Sequence, residues 1–154
     1  MYLANNLDHQ SKRMNHSLGP IIILEDDLDD QEILREILVE LKVPYRLDFY
    51  IAAKDVLEYL NTTTEQPFII ISDVNLPSMN GLELRQVINE NDYLRKKSIP
   101  FIFFSTSSDQ YAVKQAYNLT VQGYFVKQHS LVEIKETVKL ILDYWGKCKH
   151  INSI

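Results

Sequence analysis

Two short apolar segments of the sequence end in carboxylates. Asp73 comes just after the apolar run at residues 68–71, and Glu25 and Asp26 directly follow the run at residues 21–24. One aspartate at a strand end is most simply a solvated loop residue. Carboxylates gathered in one place repel one another, so they remain ionised near neutral pH only with positive charge among them. The other segment ends therefore decide whether these acids form a site.

A hydroxyl group and an ammonium group follow two further apolar segments. Ser105 comes after residues 101–104, and Lys127 comes after residues 123–126. No His or Cys directly ends a segment, which argues against zinc or copper, whereas Mg²⁺ prefers carboxylate oxygens and phosphate. The carboxylates, the hydroxyl and the ammonium group together suit a site that holds Mg²⁺ beside Asp73. The Asp73 carboxylate can take up a phosphoryl group, whose oxygens the Lys127 ammonium and the Ser105 hydroxyl would contact.

The apolar segments alternate with stretches in which apolar residues recur at helical spacing. This alternation predicts a parallel sheet with right-handed crossovers and helices on both faces. The carboxyl ends of its strands lie on one edge, so five polar residues would meet there, which chance placement makes improbable. The predicted strands are residues 21–24, 45–50, 68–71, 101–104 and 123–126. The predicted helices carry inward-facing apolar residues within 34–41, 53–60, 84–88, 112–117 and 131–145.

Local signals predict several helix ends. Asp29 or Asp30 lies near the start of the first helix, where a carboxylate can cap free amides and suits the helix dipole. Residues 89–98 are long enough to extend the third helix by a turn. Gly146 is predicted to end the last helix after Trp145, which either completes the core stripe or serves a homodimer or partner interface.

Length and composition predict one globular domain. The chain has 154 residues, of which 45% are hydrophobic and 24% charged, so it needs no disulfide or metal to fold. Residues 1–19 are polar and aperiodic and are predicted to form a flexible tail, residues 20–146 the domain, and residues 147–154 a short C-terminal tail. The single cysteine, Cys148, excludes an internal disulfide framework and a multi-cysteine metal site.

Charge and hydropathy argue against other classes of partner. The net charge is −5 and no basic stripe is present, which disfavours nucleic acid. No signal-like segment occurs, and no apolar run approaches the roughly 18 residues that span a bilayer. We therefore expect a cytoplasmic protein with no membrane partner.

Four motifs together resemble the receiver domain of bacterial two-component response regulators over residues 20–146. The resemblance implies an α/β, flavodoxin-like fold with a five-stranded parallel sheet of strand order 2-1-3-4-5 and helices on both faces. The motifs are Ile-Leu-Glu-Asp-Asp at 23–27, Asp-Val-Asn-Leu-Pro-Ser-Met-Asn-Gly at 73–81, Ser-Thr at 105–106 and Gly-Tyr-Phe-Val-Lys at 123–127.

The resemblance also implies the roles of the acidic residues. Asp73 would be the phospho-acceptor and a ligand of Mg²⁺. Glu25 and Asp26 would form the acidic pocket, with Asp26 the direct metal ligand. Asn75 would lend its backbone carbonyl to the same ion.

Three further residues match the family's phosphate-binding and switching positions. Ser105 would be the switch hydroxyl, Lys127 the phosphate-binding lysine, and Tyr124 the aromatic residue whose rotamer follows the switch. Phosphorylation would then change the surface formed by the fourth predicted helix, the fifth strand and the fifth helix. One departure is Gln128, which stands where the family usually has a proline after the lysine.

The implied partners are a sensor histidine kinase or a histidine phosphotransfer protein. We expect no second domain after residue 146, and therefore a stand-alone receiver that signals through a downstream protein target or by onward phosphotransfer. The Tyr144-Trp145 ending resembles receivers that are paired with bacterial phytochrome-type sensor kinases. Such a protein is a signalling switch rather than an enzyme with an external substrate.

Three other functions fit the same residues less well. A hydrolase with Asp73 as covalent nucleophile would need a second aspartate two residues later, where this chain has Asn75. A flavin-binding module of the same fold would meet repulsion between the ligand's phosphate and residues 25–27. A scaffold without phosphorylation would leave the complete set of acid, hydroxyl and lysine unexplained.

Overall fold

A parallel sheet of five strands forms the centre of the structure, a computed structural model that describes residues 19–151. The strand order is β2-β1-β3-β4-β5, which confirms the predicted α/β, flavodoxin-like fold and its 2-1-3-4-5 order. The central strands β1, β3 and β4 are buried along their whole length, which explains their unbroken apolar character. The strands are β1 Ile21–Leu24, β2 Leu47–Tyr50, β3 Ile69–Ser72, β4 Phe101–Ser105 and β5 Gly123–Val126.

Helices cover both faces of the sheet and form two hydrophobic cores. The core on one face lies between the sheet and α1 and α6, and the other lies beneath α2, α3, α4 and α5. The six helices of the described chain are α1 Leu28–Glu40, α2 Ala53–Thr62, α3 Gly81–Glu90, α4 Asp92–Lys96, α5 Gln110–Asn118 and α6 Leu131–Lys147. Two residues predicted to face inward, Tyr117 and Leu131, are instead 53% and 61% exposed.

Two helix starts differ from the predictions. The N-cap of α1 is Asp27, whose Oδ1 accepts the backbone N–H groups of Asp29 and Asp30, so those two acids lie in the first turn without capping it. Helix α3 ends at Glu90, so the rest of the segment at residues 89–98 does not extend it by the predicted turn. Asn91 adopts an extended conformation, and its side chain accepts the N–H of Leu94 to cap the separate helix α4, because asparagine competes with helix continuation.

The C-terminal end also differs from the prediction. Gly146 does not end α6, which continues to Lys147. After the helix, the His150 ring lies 5.6 Å from the ring of Phe68 and its Nε2 lies 3.2 Å from the Phe68 carbonyl oxygen. Part of the predicted C-terminal tail is therefore packed on the start of β3. Of the predicted N-terminal tail, residues 1–18 lie outside the described residues, and the division into tails and domain stays a prediction.

Candidate functional site

The carboxyl ends of β1 and β3 bring three carboxylates together. Glu25, Asp26 and Asp73 each offer an oxygen, and these oxygens all lie within 4.8 Å of one another. β1 and β3 are neighbours in the sheet, and the Asp73 N–H donates to the carbonyl of Leu24 at 2.9 Å. Glu25 is buried, Asp73 half-buried and Asp26 exposed, so the cluster opens from the sheet edge to solvent.

Lys127 supplies the positive charge expected among these acids. Its Nζ lies 2.8 Å from Glu25 Oε1 and 3.6 Å from Asp30 Oδ2. The backbone N–H of Lys127 donates to the Ser105 carbonyl at 2.8 Å, which fixes the end of β5 against β4. The lysine side chain is only 9% exposed, so its ion pairs are little screened by water.

Burial and neighbouring charge shift the pKa values of this pair. Burial raises the pKa of the Glu25 carboxyl to about 8; the hydrogen bond from Lys127 opposes this rise, and that with Asp30 adds to it. Burial alone would lower the pKa of Lys127, but its hydrogen bond to Glu25 and the nearby carboxylates outweigh it and raise that pKa. The acids Asp26, Asp30 and Asp73, together with Glu25, outnumber the single ammonium group of Lys127, and this arrangement favours an added cation.

One buried atom shows that the residues present fit such a cation. Glu25 Oε2 is buried and has no hydrogen-bond partner among the described residues. A buried carboxylate oxygen without a partner is costly, and an oxygen-binding divalent cation would satisfy it. All the candidate ligands are hard oxygen donors, as Mg²⁺ requires.

The loop after β3 orients Asp73. Its Oδ1 accepts the backbone N–H of Val74 at 2.7 Å and that of Asn75 at 3.4 Å. Gly81 at the start of α3 in turn donates its N–H to the Val74 carbonyl at 2.9 Å. Asn75 thus lies beside the acids, while the predicted role of its carbonyl as a metal ligand stays a prediction.

Ser105 and Tyr124 are connected through the backbone of Ser107. Ser105 is fully buried, and its Oγ accepts the Ser107 N–H at 3.2 Å. The Tyr124 hydroxyl donates to the Ser107 carbonyl at 2.7 Å, and its ring packs 5.8 Å from that of Phe103. The two predicted switch residues therefore contact the same residue of the β4–α5 loop.

Two residues at this edge were missed by sequence reasoning. Asp30, interpreted only as a helix-end acid, reaches Lys127. Gln31 is buried and donates to the carbonyl of Glu25. Gln31 did carry a sequence signal, because it stands three residues before Leu34 on the apolar stripe of α1, where a polar residue needs a buried partner.

A larger cleft of about 270 Å³ lies elsewhere, with Arg85, Asn89, Pro100 and Trp145 among its lining residues. Pro100 directly precedes β4, so this cleft is at the opposite edge of the sheet from the acids and plays no part in the site. Trp145 also packs against the core between the sheet and α6, as one of its two predicted roles required.

Comparison with known proteins identifies the family. Residues 21–139 match the family described as the response regulator receiver domain. The chain belongs to this family. As a receiver domain it is a signalling switch of two-component systems, and its family binds Mg²⁺ at an acidic pocket of the kind that Glu25, Asp26 and Asp73 form here.

Similar proteins include other response regulators, one of them a phytochrome response regulator. Response regulator Rcp1 of Synechocystis is 26% identical over 130 residues, which are 81% of this chain and 87% of Rcp1. The structure of the phosphorylated cyanobacterial phytochrome response regulator RcpA superposes with a TM-score of 0.76 at 26% identity, covering 84% of this chain and 95% of RcpA. The structure of the Mn²⁺-bound form of Rcp1 superposes with a TM-score of 0.72 at 25% identity, covering 83% of this chain and 95% of Rcp1. Within residues 19–151, no helix is long and apolar enough to cross a membrane.

Proposed function

We propose that this receiver accepts a phosphoryl group on Asp73 from a sensor histidine kinase or a histidine phosphotransfer protein, in a Mg²⁺-dependent reaction. The observation that carries the proposal is the gathering of three carboxylate oxygens within 4.8 Å, with the Lys127 ammonium bonded to one of the three acids. The family match and the likeness to a phosphorylated receiver support it.

Each residue has a defined task in this reaction. An oxygen of the Asp73 carboxylate attacks phosphorus, the bond from phosphorus to the donor's imidazole nitrogen breaks, and the nitrogen keeps the electron pair. The bonds from Val74 and Asn75 to Oδ1 hold the carboxylate in one orientation. Bound Mg²⁺, held by Asp26, Asp73 and the Asn75 carbonyl beside Glu25, would neutralise charge on the phosphoryl oxygens.

Lys127 and Ser105 complete the phosphoryl site. The ammonium of Lys127 exchanges part of its contact with Glu25 for a phosphoryl oxygen, and the Ser105 hydroxyl donates to another. Movement of Ser105 changes its bond with Ser107, and the Tyr124 hydroxyl bonds to that same residue. A change at Asp73 thereby reaches the surface formed by α5, β5 and α6, where a downstream protein target would read it.

The proposed biological setting follows from the relatives. The likeness to RcpA, a cyanobacterial phytochrome response regulator, supports a pathway with a phytochrome-type sensor kinase. Tyr144 on α6 is 62% exposed and packs edge-on against Trp145, which suits a homodimer or partner surface. We further propose a cytoplasmic location, output through protein contact or onward phosphotransfer, and no nucleic-acid or membrane partner.

The test is phosphoryl uptake by Asp73→Asn. Purified protein is incubated with acetyl phosphate and Mg²⁺ and its intact mass is followed over time. Wild type should gain one phosphoryl group, and Asp73→Asn should gain none, because the amide is not a nucleophile. Asp55→Asn, an exposed position on α2, is the matched control and should behave as wild type. Labelling of Asp73→Asn would refute the acceptor assignment, and repeated turnover of phosphomonoesters would favour a hydrolase instead.

A further inference from the structure

Gln31 is a polar residue placed inside the hydrophobic stripe of α1. It is 8% exposed, whereas Leu34 and Leu38, further along the same stripe, are buried apolar residues. Burying an amide is favourable only when it is hydrogen-bonded. Its Nε2 donates to the Glu25 carbonyl oxygen at 2.6 Å and to the Tyr50 carbonyl oxygen at 3.3 Å.

The first of these bonds restrains both acids of the pocket. The carbonyl of Glu25 belongs to the peptide unit that joins Glu25 to Asp26, and this unit is planar. A hydrogen bond to its oxygen therefore restrains the orientation of the whole peptide plane. On one side of this plane the Glu25 side chain contacts Lys127, and on the other the Asp26 side chain is exposed to solvent. A rotation of this plane would move the two carboxylates in different directions.

The second bond, to the Tyr50 carbonyl, connects the Gln31 amide to the neighbouring strand β2. The Tyr50 carbonyl at the end of β2 already accepts the N–H of Glu25 at 3.0 Å. Gln31 bonds to that carbonyl as well, so one side chain of α1 links the ends of β1 and β2. A leucine at this position would continue the stripe without making either bond.

We propose that Gln31 is a positioning residue of the divalent-cation site, acting through the peptide between Glu25 and Asp26. The proposal rests on the proposed function only in taking these acids and Asp73 as the Mg²⁺ site. Gln31 does not touch the ion. It holds the two acids in the geometry that lets their oxygens approach that of Asp73, as outer partners of metal ligands do elsewhere.

The test compares Mg²⁺ affinity by isothermal titration calorimetry in wild type, Gln31→Met and Gln86→Met. Methionine keeps the length of glutamine and loses the donor. Gln86 is exposed on α3 and its side-chain amide donates to Glu90 within the same helix, so it is the matched control. Removing the outer partner of a metal ligand weakens binding by about tenfold or more, which we expect for Gln31→Met only. Equal dissociation constants in all three proteins would overturn the proposal.

A purely structural role would give a different result. It would lower the thermal midpoint of Gln31→Met and leave the Mg²⁺ dissociation constant unchanged at temperatures where the variant is folded. If Gln31→Met does not fold, wild type alone decides: Mg²⁺ should shift the NMR signal of the Gln31 side-chain amide but not that of Gln86. An unshifted Gln31 signal at saturating Mg²⁺ overturns the proposal.

Failure of the proposed function gives another outcome. A wild type that binds Mg²⁺ but takes no phosphoryl group from acetyl phosphate or a kinase overturns the phospho-acceptor role of Asp73. The comparison of Mg²⁺ affinities between Gln31→Met and Gln86→Met still decides the role of Gln31, because it does not use phosphorylation.

Discussion

At the scale of single residues, Glu25 is a carboxyl group removed from water beside other acids. Its side chain is 3% exposed, and burial raises its pKa to about 8 from the ordinary 4.5. Between these two values the folded protein holds a proton that the unfolded chain has released. Stability falls with pH wherever the folded state binds more protons, so the contribution of Glu25 to the free energy of unfolding decreases from pH 4.5 to about 8.

Glu25→Gln should therefore stabilise the protein in a pH-dependent way. Glutamine stays neutral, so without Mg²⁺ the variant should melt at a temperature close to that of wild type near pH 5 and clearly above it near pH 8.5. Each kcal/mol gained corresponds to about 2–4 °C for a domain of this size. Glu36→Gln, an exposed acid on α1, is the control and should show no such trend. A constant difference between Glu25→Gln and wild type across this range would contradict the raised pKa.

The sequence predicted the residues that end strands better than those that support them. Asp73 and Lys127 were found because parallel topology alone brings strand ends to one edge. Asp30 and Gln31 were not, because their roles depend on where the first turn of α1 lies relative to β1 and β5. That position results from side-chain packing in three dimensions, which periodicity along the chain does not describe.

At the scale of whole elements, two glycines have opposite surroundings. A Cβ on Gly81 would lie 2.2 Å from the Asp73 carbonyl oxygen and 2.7 Å from Cε1 of Phe103, so α3 can start this close to the loop after β3 only with glycine. A Cβ on Gly146 would meet no atom within 4 Å, and its φ is not positive. The sequence predicted Gly146 as a helix end because glycine is typical there, but this glycine does not adopt the left-handed conformation that ends helices, and α6 continues through it.

Alanine at the two positions should therefore have opposite effects on stability. Gly146→Ala should raise the free energy of unfolding by roughly 0.5–1 kcal/mol, because alanine loses less backbone entropy in a helix. Gly81→Ala should lower it by about 1–3 kcal/mol, since backbone atoms at Asp73 must move. Urea titration measures both. Destabilisation by Gly146→Ala would show that this residue adopts a left-handed conformation in solution.

At the scale of the whole molecule, α5 is held differently at its two ends. At its C-terminal end, Leu119 O accepts Arg85 Nε at 3.0 Å and Asn89 Nδ2 at 2.7 Å, and Thr120 O accepts Arg85 Nη2 at 3.0 Å. Arg85 is 7% exposed, and burial lowers its pKa. Keeping a charged guanidinium group buried at this end of α5 therefore costs free energy, which its hydrogen bonds offset. The N-terminal end at Gln110 instead follows the loop in which Ser107 is hydrogen-bonded to Ser105 and Tyr124.

This asymmetry predicts that α5 pivots when the site is occupied. With Mg²⁺ and beryllofluoride, a phosphoryl mimic, backbone amide signals should shift over residues 105–113 and at Tyr124, and stay in place over 117–121. Arg85→Met removes the side chain that holds the far end, so the shifts should spread to 117–121, and protection from hydrogen exchange there should fall by about 1–3 kcal/mol. Arg95→Met, an exposed arginine on α4, should leave the wild-type pattern intact. Shifts of equal size along all of α5 in wild type would show that Arg85 and Asn89 do not fix its C-terminal end, and that the switch displaces the helix as a unit.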